Sequence, residues 1–185
     1  MRIISGSKRG LKLYTPADED AVRPTLERVK ESIFNLIQFD LEGKVLDLFA
    51  GTGQMGIESI SRGAELAVFC DNQKESLELV RKNLKKASFE EKATVKETDY
   101  KRYLRDTREK FKIVFIDPPY ERGLSQKALV ELGKDGSCLR DDGLCVVECK
   151  AEEKMPESEG RLQLIDKRTY GTVSVYLYNV KETEE

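Results

Sequence analysis

From Lys44 onward, short apolar runs alternate with stretches in which apolar residues recur every three or four positions. Lys44–Ala50, Leu66–Cys70, Ala93–Glu97, Lys112–Ile116 and Gly143–Cys149 read as strands. Met55–Arg62, Gln73–Ala87 and Leu124–Leu132 read as helices. Strands that alternate with helices predict a parallel, doubly wound α/β sheet. The end of the chain breaks this rhythm. Leu162–Lys167 and Thr172–Asn179 flank Thr169-Tyr170-Gly171, and Val173, Val175 and Leu177 alternate with Ser174, Tyr176 and Tyr178. That period of two predicts an antiparallel hairpin closing one edge of the sheet. Glu152–Glu159 reads as an acidic loop and Lys181–Glu185 as a frayed tail.

The beginning differs as well. Ile3-Ile4 and Leu11-Lys12-Leu13 flank Ser5-Gly6-Ser7-Lys8-Arg9-Gly10, a pattern for a small hairpin with a basic turn. Asp18-Glu19-Asp20 reads as an acidic loop. Pro24-Thr25 opens a helix carrying Leu26, Val29, Ile33, Phe34 and Ile37 on one face, with Thr25 the expected N-cap and Glu27 in the first turn. Residues 1–185 are therefore expected to form a single domain, with 1–22 as an N-terminal hairpin extension.

Composition narrows the chemistry. The chain has 185 residues, enough for one full core. Charged residues make up 36% and the net charge is −2, so a polyanionic partner must be met by a local basic patch. There is no histidine, which excludes a Ser-His-Asp triad, an imidazole base and an imidazole metal site; no metal is expected. Tryptophan is absent, so an aromatic platform must be Tyr or Phe. Cys70, Cys138, Cys145 and Cys149 form no C-x-x-C pair and read as structural thiols in a reducing cytoplasm. Neither a signal peptide nor an apolar run long enough for a membrane span is visible, so a cytoplasmic protein without a membrane partner is expected.

Gly51-Thr52-Gly53-Gln54-Met55-Gly56 fits G-x-G-x-x-G between a strand and a helix, and Asp71 follows at the end of the next strand. This pattern serves dinucleotides. Two features favour S-adenosylmethionine instead. Asp47 lies at the end of the first strand, close to where a pyrophosphate would have to sit on a helix N-terminus. S-adenosylmethionine has an ammonium and a sulfonium in its place. The closing strand hairpin is also foreign to the usual dinucleotide fold. Asp71 would bond ribose hydroxyls with either ligand.

Ile113-Val114-Phe115-Ile116 runs into Asp117-Pro118-Pro119-Tyr120, which places Asp117 at the carboxyl end of a central strand, where open α/β sheets bind ligands. The prolines stiffen the turn and offer carbonyls but no N–H. Such a site suits the exocyclic amine of a planar base, whose lone pair is delocalised into the ring. Asp117 and the Pro118 carbonyl can each accept one amine hydrogen and stabilise positive charge as it develops, and Tyr120 can stack on the base.

These stretches resemble the bacterial small-subunit rRNA guanine-N2 methyltransferases of the RsmD type. The resemblance runs through Arg2-Ile3-Ile4-Ser5-Gly6 with Lys8-Arg9-Gly10, Arg23-Pro24-Thr25 with Arg28-Val29-Lys30-Glu31 and Phe34-Asn35, Asp47–Gly53, Ser61-Arg62-Gly63-Ala64 and Asp117–Tyr120. It covers nearly the whole chain. The glycine and Asp-Pro-Pro-Tyr motifs are common to many amino-methyltransferases, and the N-terminal elements narrow them to this family. It implies a Rossmann-like class I methyltransferase fold, with a mostly parallel sheet of about seven strands, an antiparallel C-terminal hairpin and the N-terminal β-hairpin. It implies an S-adenosylmethionine-dependent enzyme that methylates a guanine amine of 16S rRNA, within an assembling small subunit. The implied catalytic residues are Asp117, Pro118 and Tyr120. The implied cofactor contacts are Asp47, Phe49, Gly51, Thr52, Gly53, Asp71, Asn72 and Asp99; Asp99 would meet the adenine amine, or equally serve as a helix N-cap. Gln54 departs from the small residue the family tends to carry.

Arg2, Lys8, Arg9, Arg23 and Arg28 are the candidate RNA contacts, with the hairpin as a phosphate-gripping arm beside the base site. Arg23 is equally a candidate for the cofactor carboxylate, and the Lys101–Lys112 run for RNA or for a solvated helix face. Two other functions fit some of these residues. One is a DNA or other RNA amino-methyltransferase of the Asp-Pro-Pro-Tyr type, for which the chain has little room to read sequence. The other is a non-catalytic RNA-binding protein on the same scaffold, against which the intact Asp47, Gly51, Gly53, Asp71 and Asp117 argue.

Overall fold

The computed structural model describes residues 1–16, 24–120 and 123–181. The acidic loop predicted at Asp18–Asp20, Arg23 and the tail beyond Lys181 lie outside the described residues, as do the side chains of Pro24, Thr25 and Leu26. Eight strands form one sheet: β1 (Lys44–Asp47), β2 (Leu66–Asp71), β3 (Ala93–Glu97), β4 (Phe111–Ile116), β5 (Leu139–Lys150), β6 (Ser158–Glu159), β7 (Leu162–Tyr170) and β8 (Val173–Val180). Their order is β3-β2-β1-β4-β5-β8-β7-β6. The first five pair in parallel. β8 runs antiparallel between β5 and β7, as the Val/Tyr alternation predicts. Strand order reverses between β1 and β4, so their carboxyl ends form the crevice in which such sheets bind ligands.

Helices cover both faces. α4 (Tyr100–Asp106) and α5 (Leu124–Leu132) pack on one, through Tyr103, Ala128, Leu129 and Leu132 against Val114, Ile116, Cys145 and Val147. On the other, α1 (Pro24–Leu36) lays Val29, Ile33 and Phe34 on Phe115, Val146 and Val175. α2 (Gln54–Ser61) and α3 (Lys74–Ala87) cover β2 on the same face. All four cysteines are buried and free, their thiols pushed up by burial, to about 12 at Cys70, Cys138 and Cys149. Among the described residues no helix is long and apolar enough to cross a membrane.

Three local expectations change. β1 ends at Asp47, not Ala50, because Leu48 and Phe49 already turn into the glycine loop. Thr25 is inside α1 and does not cap it, since Pro24 is already helical. Ser158–Glu159, predicted as loop, pairs with Gln163 and Leu162 and supplies the eighth strand.

The two arms of the N-terminal hairpin pair through three backbone bonds, from the Ile3, Gly10 and Leu13 N–H groups to the Leu11, Ile3 and Met1 carbonyls. One buried acid docks the hairpin on the domain: Ile4 and Ser5 donate their N–H groups to the Glu58 carboxylate at 2.8 and 3.0 Å. Lys30 of α1 (3.4 Å) and Arg62 (2.8 Å) complete the ring of partners around Glu58, whose side chain is 0% exposed. Lys30 also donates to the Arg2 carbonyl at 2.7 Å. Burial lowers the Lys30 pKa, and the Glu58 charge opposes that shift. Hairpin, α1 and α2 thus meet on one carboxylate.

Removing a buried carboxylate strands its cation and its amides, at a cost of about 3–5 kcal/mol, or roughly 6–20 °C for a domain of this size. Glu58→Ala should show that loss in thermal melts. Lys30→Met should cost less than half as much, because Arg62 and two amides still compensate Glu58. Equal losses would mean that the lysine, not the acid, is the anchor.

Candidate active site

One carboxylate stands at, just past or within two residues of the carboxyl end of each of four neighbouring strands. Asp71 ends β2. Asp47 ends β1, in register with Phe69 and Phe115. Asp117 follows β4 directly, and Glu148 on β5 is one residue past Val147, the rung partner of Ile116. Side chains alternate across a sheet. Asp117 and Glu148 therefore share the α1-facing side with Phe115, Val146 and Val175, and Glu148 is paired with Val175. Asp71, Asp47, Asp117 and Glu148 form a row along the crevice.

Burial, with repulsion from neighbouring acids at Asp47 and Glu148, holds Asp47, Asp117 and Glu148 toward their protonated forms. Asp47, 2% exposed, is raised to about 8 by burial; the Gly56 N–H at 3.1 Å opposes this, while Asp117 and Asp71 add to it. Burial raises Asp117 to about 7. Burial and then the Asp117 charge push Glu148 well above the usual carboxylate range. Glu148 escaped the sequence reading, although an acid on the apolar Leu144/Val146 face of a strand was a signal.

The glycine loop is fixed from several sides. Asp71 accepts from the Gly51 N–H at 2.9 Å through Oδ2 and from the Gln73 N–H at 2.8 Å through Oδ1. Each oxygen keeps lone-pair capacity for a further donor. Gly53 caps α2 at φ 80°, and a Cβ on Gly56 would meet the Phe69 ring at 2.3 Å, so glycine there lets α2 settle onto β2. Thr52 turns away from the crevice: its hydroxyl donates to the Met1 sulfur at 3.6 Å and its carbonyl accepts from Asn83 at 3.0 Å. The buried Asn83 also binds both backbone groups of Tyr14, and it too was missed. Asn72 is exposed next to Asp71.

Asp99 is the N-cap of α4, accepting from the Lys101 and Arg102 N–H groups through Oδ1 at 2.9 and 3.3 Å. The Phe49 and Tyr100 rings pack 5.1 Å apart below it. Pro118 is buried, Pro119 exposed, and the Tyr120 ring is 51% exposed with the Lys150 ammonium 5.6 Å over it.

The candidate RNA residues among the described ones are not gathered at this crevice; Arg23 lies outside them. Ser7 and Lys8 donate their N–H groups to Ser61, at the far end of α2. That puts the basic tip, Lys8 and Arg9, about 12 Å of helix away from the glycine loop. Arg2 is nearer, paired with Glu27 in the first turns of α1 at 3.3 Å, and Arg28 is exposed on α1. Much of the Lys101–Lys112 run is structural: Arg102 and Arg105 pair with Asp106, Lys110 binds the Ser137 carbonyl, and Lys112 holds Asp40 and Asp142.

A glycine loop pinned by the acid of the next strand, a carboxylate row at the switch point and a strand inserted antiparallel beside β5 together define a Rossmann-like methyltransferase fold. The Escherichia coli protein yhhF, named as a methyltransferase, superposes with a TM-score of 0.85 at 32% identity, and 98% of each chain is covered. Residues 1–179 match the family model described as Conserved hypothetical protein 95. The chain belongs to that family, the RsmD-type methyltransferases. Ribosomal RNA small subunit methyltransferase D of Escherichia coli K12 is 34% identical over 181 residues, covering 96% of this chain and 89% of the relative. YlbH of Bacillus subtilis is 41% identical over 183 residues, covering 96% and 98%.

A carboxyl group that titrates higher in the folded state than in the unfolded chain costs stability as pH rises. For Asp47 that loss begins near the unfolded value of about 4 and is complete only above about 8. Asn keeps the acceptor for the Gly56 N–H and cannot ionise. Asp47→Asn should therefore melt higher than wild type at pH 8, by roughly 2–10 °C, and the difference should shrink as pH falls and vanish near pH 4. Melting curves across that range would contradict this if the variant lost stability equally at both ends.

Proposed function

We propose that this protein transfers a methyl group from S-adenosylmethionine to the exocyclic N2 amine of a guanine in 16S rRNA, in the cytoplasm and on an assembling small subunit. The observation that carries the reading is the shared crevice: the Asp71-pinned glycine loop and the Asp117-Pro118-Pro119-Tyr120 turn lie side by side at the carboxyl ends of β2, β1 and β4. The rRNA substrate is supported by the names of the relatives, Ribosomal RNA small subunit methyltransferase D among them.

The residues present fit the cofactor. In a dinucleotide site the first amides of the helix after the glycine loop would face a pyrophosphate. Here the Gly56 amide donates to Asp47, so a carboxylate already occupies that position. A second anion is disfavoured there, and a cation is welcome beside Asp47. Asp71 would take the ribose hydroxyls on its remaining lone pairs, with Gly51, Thr52, Gly53 and Asn72 around it. Phe49 would line the adenine pocket, and Asp99 would accept from the adenine amine.

S-adenosylmethionine supplies an electrophilic methyl carried on a sulfonium. This chain's residues do the rest. Asp117 and the Pro118 carbonyl accept the two hydrogens of the amine, which aims the nitrogen lone pair across the crevice. As positive charge grows on that nitrogen, Asp117 stabilises it and takes the released proton. Tyr120 stacks on the base. Arg2, Lys8, Arg9, Arg23 and Arg28 would hold phosphates; with the hairpin tip at the far end of the buried α2, the RNA must pass over the hairpin that covers that helix to reach the site.

Labelled S-adenosylmethionine with unmodified 16S rRNA, naked and as a subunit, tests the proposal after nucleoside analysis. N2-methylguanosine is the expected product. Label in another nucleoside, or in DNA oligonucleotides alone, would overturn it. Asp117→Ala should slow single-turnover transfer by about 10²–10³ while cofactor affinity changes little; a near-normal rate would remove Asp117 from the chemistry.

A further inference from the structure

Every base with an exocyclic amine offers Asp117 the same group, so Asp117 cannot choose among them. The bases differ at the ring nitrogen beside the amine. In adenine and cytosine that nitrogen is an acceptor. In guanine N1 carries a hydrogen and is a donor. A pocket with one acceptor beside a hydrogen-bond donor would fit adenine or cytosine, and a pocket with two adjacent acceptors fits guanine.

The structure has two adjacent acceptors. Glu148 lies on the strand next to Asp117, at the following rung and on the same face. Asp117 is the one charged group that perturbs it. Its neighbours Val146 and Val175 on that face are apolar, with α1 over them, and Lys150, two residues along the same face, holds its ammonium over the Tyr120 ring. Among the described residues no cation pairs with Glu148, unlike Glu58 on the same side of the sheet. An acid so placed is costly unless donors arrive to meet it.

We infer that Glu148 is the specificity residue of the base site, its carboxyl accepting guanine N1–H while Asp117 accepts the N2 amine. This rests on the guanine-N2 reading and adds the residue that would make the site choose guanine. With guanine in place, two N–H donors face two carboxyl groups, and the repulsion between Asp117 and Glu148 is offset. With adenine or cytosine, a ring acceptor would face Glu148, lone pair to lone pair in the ionised carboxylate, so Glu148 selects guanine in that form, which the guanine N1–H stabilises.

Once the methylated nucleotide is mapped, 16S rRNA carrying 2-aminopurine at that position tests the inference. This base keeps the amine but has a bare N1. Wild type should methylate it roughly 10–100-fold more slowly than guanine at saturating cofactor and RNA, as expected for a charge-assisted hydrogen bond left unmade. Glu148→Gln keeps the shape and presents an amide N–H to the bare N1. It should bring the two rates to within about threefold, since a correctly paired amide no longer penalises the missing hydrogen. Glu148→Ala should also narrow the ratio while slowing both. A merely structural role would slow both bases in proportion and leave the ratio at its wild-type value, which would overturn the inference. Wild-type indifference to 2-aminopurine would overturn it without any variant. If the mapped product is a methylated adenine or cytosine, the guanine reading fails and this inference with it; if it is N2-methylguanine and the ratio does not move in Glu148→Gln, only the assignment of Glu148 fails.

Discussion

Asp71, Asp47, Asp117 and Glu148 repel one another across the ends of four adjacent strands, and the parallel sheet gives them no means of moving apart. Register brings them to one edge, and alternation puts Asp117 and Glu148 on one face. The crevice answers by holding protons: Asp47 and Asp117 are raised to about 8 and about 7, and Glu148 is pushed well above the ordinary carboxylate range. Groups tuned this way gather at functional sites. The strain is directional. A cation at the Asp47 end and N–H donors at the Asp117 end would relieve it, which is the charge pattern of the proposed cofactor and base.

Glu58 shows the opposite solution in the same layer of the molecule. It is as deeply buried as Asp47, yet two amides, Lys30 and Arg62 surround it. That compensated acid anchors the N-terminal hairpin, which in turn meets the glycine loop from outside through Met1 on Thr52 and Tyr14 on Asn83. The hairpin is thereby part of the cofactor loop's support, quite apart from any contact with RNA. Glu58 with its cations builds the frame, and the acids at the strand ends, which no cation meets among the described residues, are left for ligands.

Much of this was legible in the sequence. The alternation of apolar runs with helical periodicity marks the central parallel strands β1, β2 and β4, because each is buried on both faces; the edge strand β3 is only partly buried. Asp71 and Asp117 could be placed at strand ends from the runs before them. Glu58 could not, because in a helix bearing Met55, Ile57 and Ile60 an acid reads as the solvated position; α2 is instead buried all round by the hairpin folding over it, a contact across more than fifty residues. Asn83 was hidden for the same reason. Asp99 had two readings in the sequence, and its two amide bonds show the capping one without occupying its second oxygen. The two-residue β6 has no periodicity to detect.

The central claim is that the carboxylate row is poised to lose protons when a cation arrives, and proton release on binding measures it directly. Titrating S-adenosylmethionine into the protein at pH 7, in buffers of differing ionisation enthalpy, gives the number of protons exchanged. Subtracting the same measurement on Asp47→Asn cancels the contribution of the cofactor's own amine. The account predicts that wild type releases more protons than the variant, by about 0.5–1 per site, and that the difference fades above pH 9. Equal proton exchange in the two proteins at pH 7 would contradict it.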